Sequence, residues 1–131
     1  MSEKSVARRA AEIVERSQRA LARGDVEGYV ACFTPDAELS DPGVPPMKGH
    51  AGIRQGVSTL LQMFTKVELL ELKLFPVERS VAFKATVRFL TRNGKELTVE
   101  SIDVFELNED FLIYKGKAYW DFDSFMKQMQ G

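Results

Sequence analysis

Hydrophobic positions recur at helical spacing in the first half of the chain and alternate in the second half. From about Glu3 to Arg23, Val6, Ala10, Ile13, Val14, Ser17 and Leu21 fall on one side of a helix among arginine, glutamate and lysine. Gly24 stops that helix. Asp25 is placed to cap a second, shorter helix with Val26, Tyr29, Val30 and Phe33 inward, and Thr34-Pro35-Asp36 is expected to break it. Ala37–Ser40 reads as a short strand. Asp41-Pro42-Gly43-Val44-Pro45-Pro46 follows as a constrained loop, because its three prolines remove donors and fix φ. Gly49 leads into a third helix carrying Ile53, Val57, Leu60, Leu61 and Phe64.

From there the pattern is that of strands. Val67–Phe75 is β-rich, and Pro76 opens a charged turn. In Val81–Thr91, Phe83, Ala85, Val87 and Phe89 alternate with Lys84, Thr86 and Arg88. Asn93-Gly94 is a hairpin signal. Val99–Phe105 places Val99, Ser101, Asp103 and Phe105 on one face, Glu100, Ile102 and Val104 on the other. A turn at Asn108-Glu109-Asp110 precedes a last strand from Phe111 to about Phe122. Three helices followed by antiparallel strands predict an α+β fold with helices packed on one face of a sheet. A sheet that covers helices curves, and its concave face offers a pocket for a small molecule.

The 131 residues fit one domain, 1–131. With 18 lysines and arginines against 19 acids, the formal net charge of -1 points to neither nucleic acid nor an acidic membrane surface as partner. Basic pairs such as Arg8-Arg9 lack the interleaved aromatics that stack bases. The single cysteine, Cys32, excludes an internal disulfide, and with the single histidine, His50, it assembles no zinc site. No metal or other cofactor is expected. The charged N-terminus has no signal-peptide core, and no apolar run approaches the ~20 residues of a membrane span. A soluble, cytoplasmic protein is the expectation.

Two acids stand apart by their neighbours. Asp41 sits in the proline-rich loop and is expected to stay ionised. Asp103 lies between apolar residues on its strand face, where a carboxyl is costly unless paired, hydrogen-bonded or protonated. Two carboxyls pushed in opposite directions suit a base and an acid. The plainer readings are a turn-initiating Asp-Pro pair and a strand aspartate bonded to a neighbour.

The order of motifs resembles the ketosteroid isomerases of the nuclear transport factor 2-like, or SnoaL-like, superfamily. The matching pieces are Gly24-Asp25, Phe33 through Ala37, Asp41-Pro42 with Pro45-Pro46 and Gly49, Ser101-Ile102-Asp103-Val104-Phe105, and Ala118-Tyr119-Trp120. The resemblance implies a cone-shaped, curved antiparallel sheet wrapped over three helices, commonly dimeric. It also implies a proton shift beside a carbonyl, on a steroid-like or polyketide-like ketone. By position, Asp41 matches the base and Asp103 the acid kept neutral to donate to the enolate oxygen, the feature for which these enzymes are the reference case. Trp120 matches an aromatic that lines the pocket beside the base. The implied lining is Ser17, Phe33, Val57, Val87, Phe89, Phe105, Ala118 and Trp120.

Departures accompany the match. The helix tyrosine that donates to the enolate falls on Ser17, and two supporting tyrosines fall on Phe33 and Val57. Losing one such donor costs about 2.7–4 kcal/mol, or ~10²–10³ in rate, so turnover on steroids is expected to be slow. A water held by Ser17 is one remedy; a back-bond within its own helix is the plainer expectation. A binding protein that has lost turnover is the competing reading. Epoxide hydrolysis ranks low, because Arg88 points away from the apolar face. His50 is expected to be solvent-exposed, Cys32 to pack as a small apolar group, and Met47, Met63, Met126 and Met129 to fill gaps. Ile102, Val104, Tyr119 and Ile113 are expected to form an outer apolar patch, covered in a twofold dimer through the sheet.

Overall fold

The computed structural model describes residues 2–130. Helix α1 spans Glu3–Ala22, and the Ser2 hydroxyl accepts a hydrogen bond from the Ser5 N–H at its start. Ala10, Ile13, Val14 and Ser17 are buried on its inner side. Gly24 then takes φ +77°, the left-handed conformation that lets the chain reverse without a side-chain clash. Asp25 accepts from the Gly28 N–H at 2.9 Å and caps α2, Val26–Val30. Phe33 is not helical as expected: it opens strand β1, Phe33–Ser40, which also takes in Thr34-Pro35-Asp36. The pairing of β1 is irregular between Phe33 and Glu38, which accommodates a proline that has no N–H to give.

Strand β2, Met47–Lys48, pairs with β1 and leads into α3, Gly49–Gln62. Phe64 belongs to the next strand, not to α3. That strand, β3, runs Phe64–Val77, longer than expected at both ends. It holds Pro76 because it is the sheet's edge, where a missing donor costs little. The remaining elements are β4 Ser80–Thr91, β5 Glu96–Leu107, β6 Ile113–Tyr119 and α4 Phe122–Gln130. The last strand is shorter than expected at both ends. Phe111 has φ 58°, incompatible with a strand, while Asn108 Oδ1 accepts from the N–H groups of Asp110 and Leu112 to close the turn. Beyond Tyr119 the chain turns into α4.

The six strands form one sheet in the order β2-β1-β6-β5-β4-β3. Neighbours pair antiparallel except β1 and β6, which are parallel. Register irregularities in β3, near Leu69, and at the end of β5 bend the sheet over the helices. Between sheet and helices lie Phe33, Phe83, Phe105, Ile53, Val14 and Ile113, all essentially inaccessible. Each such aliphatic or aromatic side chain stabilises the fold by about 1.5–3 kcal/mol relative to exposure. Ile113 is therefore core and not part of an outer patch: the irregularity after Glu106 sets it opposite Leu107 and Phe33. A second cluster, Phe64, Phe89 and Leu97, is covered by Phe125 and Met129 of α4.

Candidate active site

Strand alternation puts Asp103 on the inner face of β5, and the ladder sets it between Phe83 of β4 and Ala118 of β6. Only 9 % of its surface is exposed. Burial pushes its carboxyl up to about 7; the Ser101 hydroxyl, which donates to Oδ1, pulls the other way, and the negative charge of Asp41 adds to the rise. Near neutral pH the protonated form is therefore well populated.

Asp41 is the first residue past β1. Parallel pairing sets Ser40 beside Lys117, so the ends of β1 and β6 lie together and Trp120 follows directly. The Trp120 indole donates to Asp41 Oδ1 at 2.9 Å. Asp41 is more enclosed than a proline-loop carboxylate was expected to be. Burial raises its pKa, and the indole hydrogen bond opposes that by stabilising the charged form. Both acids thus have raised pKa values, and they differ in degree and in partner: a hydroxyl for Asp103, an indole for Asp41.

Around Asp41, Ser40, Pro42, Lys117, Ala118 and Tyr119 line a hollow of about 210 Å³, below the roughly 300–1,000 Å³ of ligand pockets in general. The concave end beside it is capped by α4. The Phe125 ring lies 5.5 Å from that of Trp120 and 6.4 Å from those of Phe64 and Phe89. Lys95 Nζ holds the helix by donating to the Gln128 carbonyl at 3.2 Å. Phe122 packs on Gly43, where an added Cβ would come within 2.7 Å of the ring.

The expected lining separates into groups. Phe105 and Ala118 sit with Asp103, and Trp120 with Asp41. Phe33 and Val57 are buried core, and Val87 bridges the two clusters. Phe89 belongs to the α4-covered group. Ser17 is fully buried, and its hydroxyl donates to the Val14 carbonyl at 2.6 Å, so its proton is spent within α1. His50 is half-buried, not solvent-exposed, with Nε2 2.8 Å from the Phe33 carbonyl oxygen. Arg88 lies on the outer face and pairs with Glu68. Among the described residues, no three His, Cys, Asp or Glu side chains converge as a metal site.

Tyr29 was legible in the sequence only as an inward residue of the second helix. It is 3 % exposed, and burial together with the negative charges of Asp41 and Asp103 pushes its hydroxyl well above the usual phenol range. Ser101, too, was assigned to the face of Asp103 without a role.

Residues 14–115 match the model of the SnoaL-like domain. The chain belongs to the SnoaL-like family. A steroid Δ-isomerase of Nocardioides simplex is 29 % identical over 108 residues, covering 82 % of this chain and 85 % of that protein. Among solved structures, a protein from Xanthomonas campestris pv. campestris named for polyketide cyclase activity superposes with TM-score 0.86 at 16 % identity, over 93 % of this chain and 97 % of its own. A nuclear transport factor 2-like protein of Burkholderia pseudomallei gives 0.84 at 15 % identity, over 94 % and 98 %. At those identities the structural likenesses speak for the SnoaL-like fold alone. No helix among the described residues is long and apolar enough to cross a membrane.

Proposed function

We propose that this SnoaL-like protein catalyses a proton shift beside a carbonyl, in the manner of a steroid Δ-isomerase. Asp41 removes the proton and returns it at a second carbon. Asp103, protonated, donates to the oxygen on which negative charge develops. The observation that carries the reading is the pair itself: two acids close enough to feel each other, one with its pKa near 7 and the other held by an indole donor. The likeness to the Nocardioides steroid isomerase favours a steroid-like or polyketide-like ketone as substrate. The test is to mix the protein with a β,γ-unsaturated ketosteroid and follow the absorbance of the conjugated enone. A slow rate above buffer that is lost in Asp41→Asn is expected; no rate, or one unchanged in that variant, overturns the proposal.

A second reading, a binding protein of the same family without turnover, is favoured by one observation. The Ser17 hydroxyl is committed to Val14 and gives nothing to a ligand. This version predicts that a planar phenolic steroid binds and that Asp103→Leu weakens it, while no isomerisation occurs.

We also infer a homodimer through the outer face of the sheet. Phe75, Ile102 and Tyr119 are each about half exposed there, and the ladders bring Ile102 beside Tyr119 and Phe75 into the row of Val104. A patch of this kind is seldom left to solvent.

A further inference from the structure

Residues two apart on a strand share a face and stand about 6.5 Å apart. Two short side chains meet across that span only where they lean together along the strand. Ser101 and Asp103 of β5 do so, and the Ser101 hydroxyl donates to Asp103 Oδ1. The ladders supply no other polar neighbour. Ser101 stands opposite Ala85 of β4, and Asp103 lies between Phe83 of β4 and Ala118 of β6.

The direction of this bond decides what the acid has left to give. Among the described residues, neither Ser101 Oγ nor Asp103 Oδ2 has another hydrogen-bond partner. If the acid donated to the hydroxyl, the hydroxyl proton would lack an acceptor and the carboxylic proton would be spent within β5. With the hydroxyl donating, Oδ1 acts as the carbonyl oxygen and the acid's proton sits on Oδ2. That oxygen is not sealed off, because the one fully enclosed side-chain polar atom without a partner, among the described residues, is Arg79 Nε. The ionisable groups that act on Asp103 from other elements are Asp41, just past β1, and Tyr29 of α2. Asp41 takes its own hydrogen bond from Trp120, and burial keeps the Tyr29 phenol neutral. Ser101 alone holds the Asp103 carboxyl.

We propose that Ser101 is a positioning residue: by donating to Oδ1 it fixes the orientation of the Asp103 carboxyl and keeps the acid's proton on Oδ2, free for the bound ligand. This inference rests on the reading of Asp103 as a neutral donor given above. It carries a consequence for pH. A donor to a carboxyl stabilises the charged form, so Ser101 limits the rise that burial causes and sets the upper pH at which Asp103 stays neutral.

The experiment follows the carboxyl stretch by infrared difference spectroscopy across the neutral range, in protein labelled with ¹³C-aspartate. Asp103→Asn identifies the band. A carbonyl that accepts a hydrogen bond absorbs at lower frequency than a free one, so the band is expected to move to higher frequency in Ser101→Ala. The proton affinity of Asp103 is expected to rise about tenfold, and Ser101→Thr, which keeps the hydroxyl, to restore both. At low pH, where the acid is neutral in every variant, Ser101→Ala is expected to bind a planar phenolic steroid several-fold more weakly than the wild type or Ser101→Thr. A band that stays or moves to lower frequency in Ser101→Ala, or equal affinity at low pH, overturns the role of Ser101 and leaves that of Asp103 standing. A wild type that does not bind, or whose Asp103 titrates in the ordinary carboxylate range, overturns both together.

Discussion

The Trp120 indole and the Asp41 carboxylate meet at 2.9 Å although 79 residues separate them in the chain. Their contact follows from the parallel pairing of β1 with β6, which brings the last residues of both strands to one end of the sheet. Burial favours the neutral form of Asp41 and the indole favours the charged form.

Trp120→Phe keeps an aromatic ring and deletes the donor. The Asp41 pKa then rises further, since only the burial effect remains. A base works in its charged form, so the acid limb of the pH–rate profile is expected to move to higher pH. An unmoved limb would show that Asp41 is not the group whose ionisation limits the rate.

Asp103 gives a stability prediction with a definite sign. Its pKa is about 7 in the folded protein, against an ordinary value of 3.8. Well below pH 3.8 this carboxyl is protonated in the folded and unfolded states alike, and its own contribution favours the fold most. As pH rises towards 7 the unfolded chain gives up its proton first, and stability falls by on the order of 4 kcal/mol. Asp41, shifted in the same direction, adds to the fall. Asp103→Asn is expected to flatten this dependence, with a higher urea midpoint than wild type at pH 8 and a similar one at pH 4. In an isomerase assay the same variant is expected to lose roughly 10²–10³ in rate.

Gly116 has no room for a side chain. A Cβ there would lie 2.7 Å from Leu39 Cδ1 and from Phe105 Cε1, both facing it across the ladders. Gly116→Ala is expected to cost about 1–3 kcal/mol, read as a lower urea midpoint. Because Phe105 must shift and lies two residues from Asp103, ligand affinity is expected to fall as well.

Helix α4 has nine residues and none fully buried. Helices this short are marginal on their own, so its attachment depends on Phe125 and Met129 against Phe64, Phe89 and Leu97. Hydrogen exchange is expected to be much faster in α4 than in β4 or β5, and bound ligand to slow it. Phe125→Ala is expected to speed ligand association by loosening the cap. Equal protection in α4 and β5 would count against an opening helix.

The outer face of the sheet sets the last prediction. Ile102→Lys places a charge in the patch with Phe75 and Tyr119, and sedimentation is expected to show a monomer where the wild type is a dimer. A monomeric wild type at micromolar concentration rules the interface out.

Local patterning determined much of this protein. The period of α1, the Asp25 cap, the Asn93-Gly94 turn and the alternation that turns Asp103 inward all depend on neighbours a few residues apart, and all were legible in the chain. Contacts between distant segments were not. Phe33, Pro35 and Pro76 lie in strands because partner strands and an open edge outweigh local propensity. A helix begins at Phe122 because Phe64, Phe89 and Trp120 offer its Phe125 an apolar seat. The two acids were visible as oddities of their surroundings, yet their meeting depends on a parallel β1–β6 pair that no local signal announces. Tyr29 shows the same division: periodicity placed the phenol inside, and only the tertiary structure set its ring 4.9 Å from that of Phe33 and within range of the charges of Asp41 and Asp103.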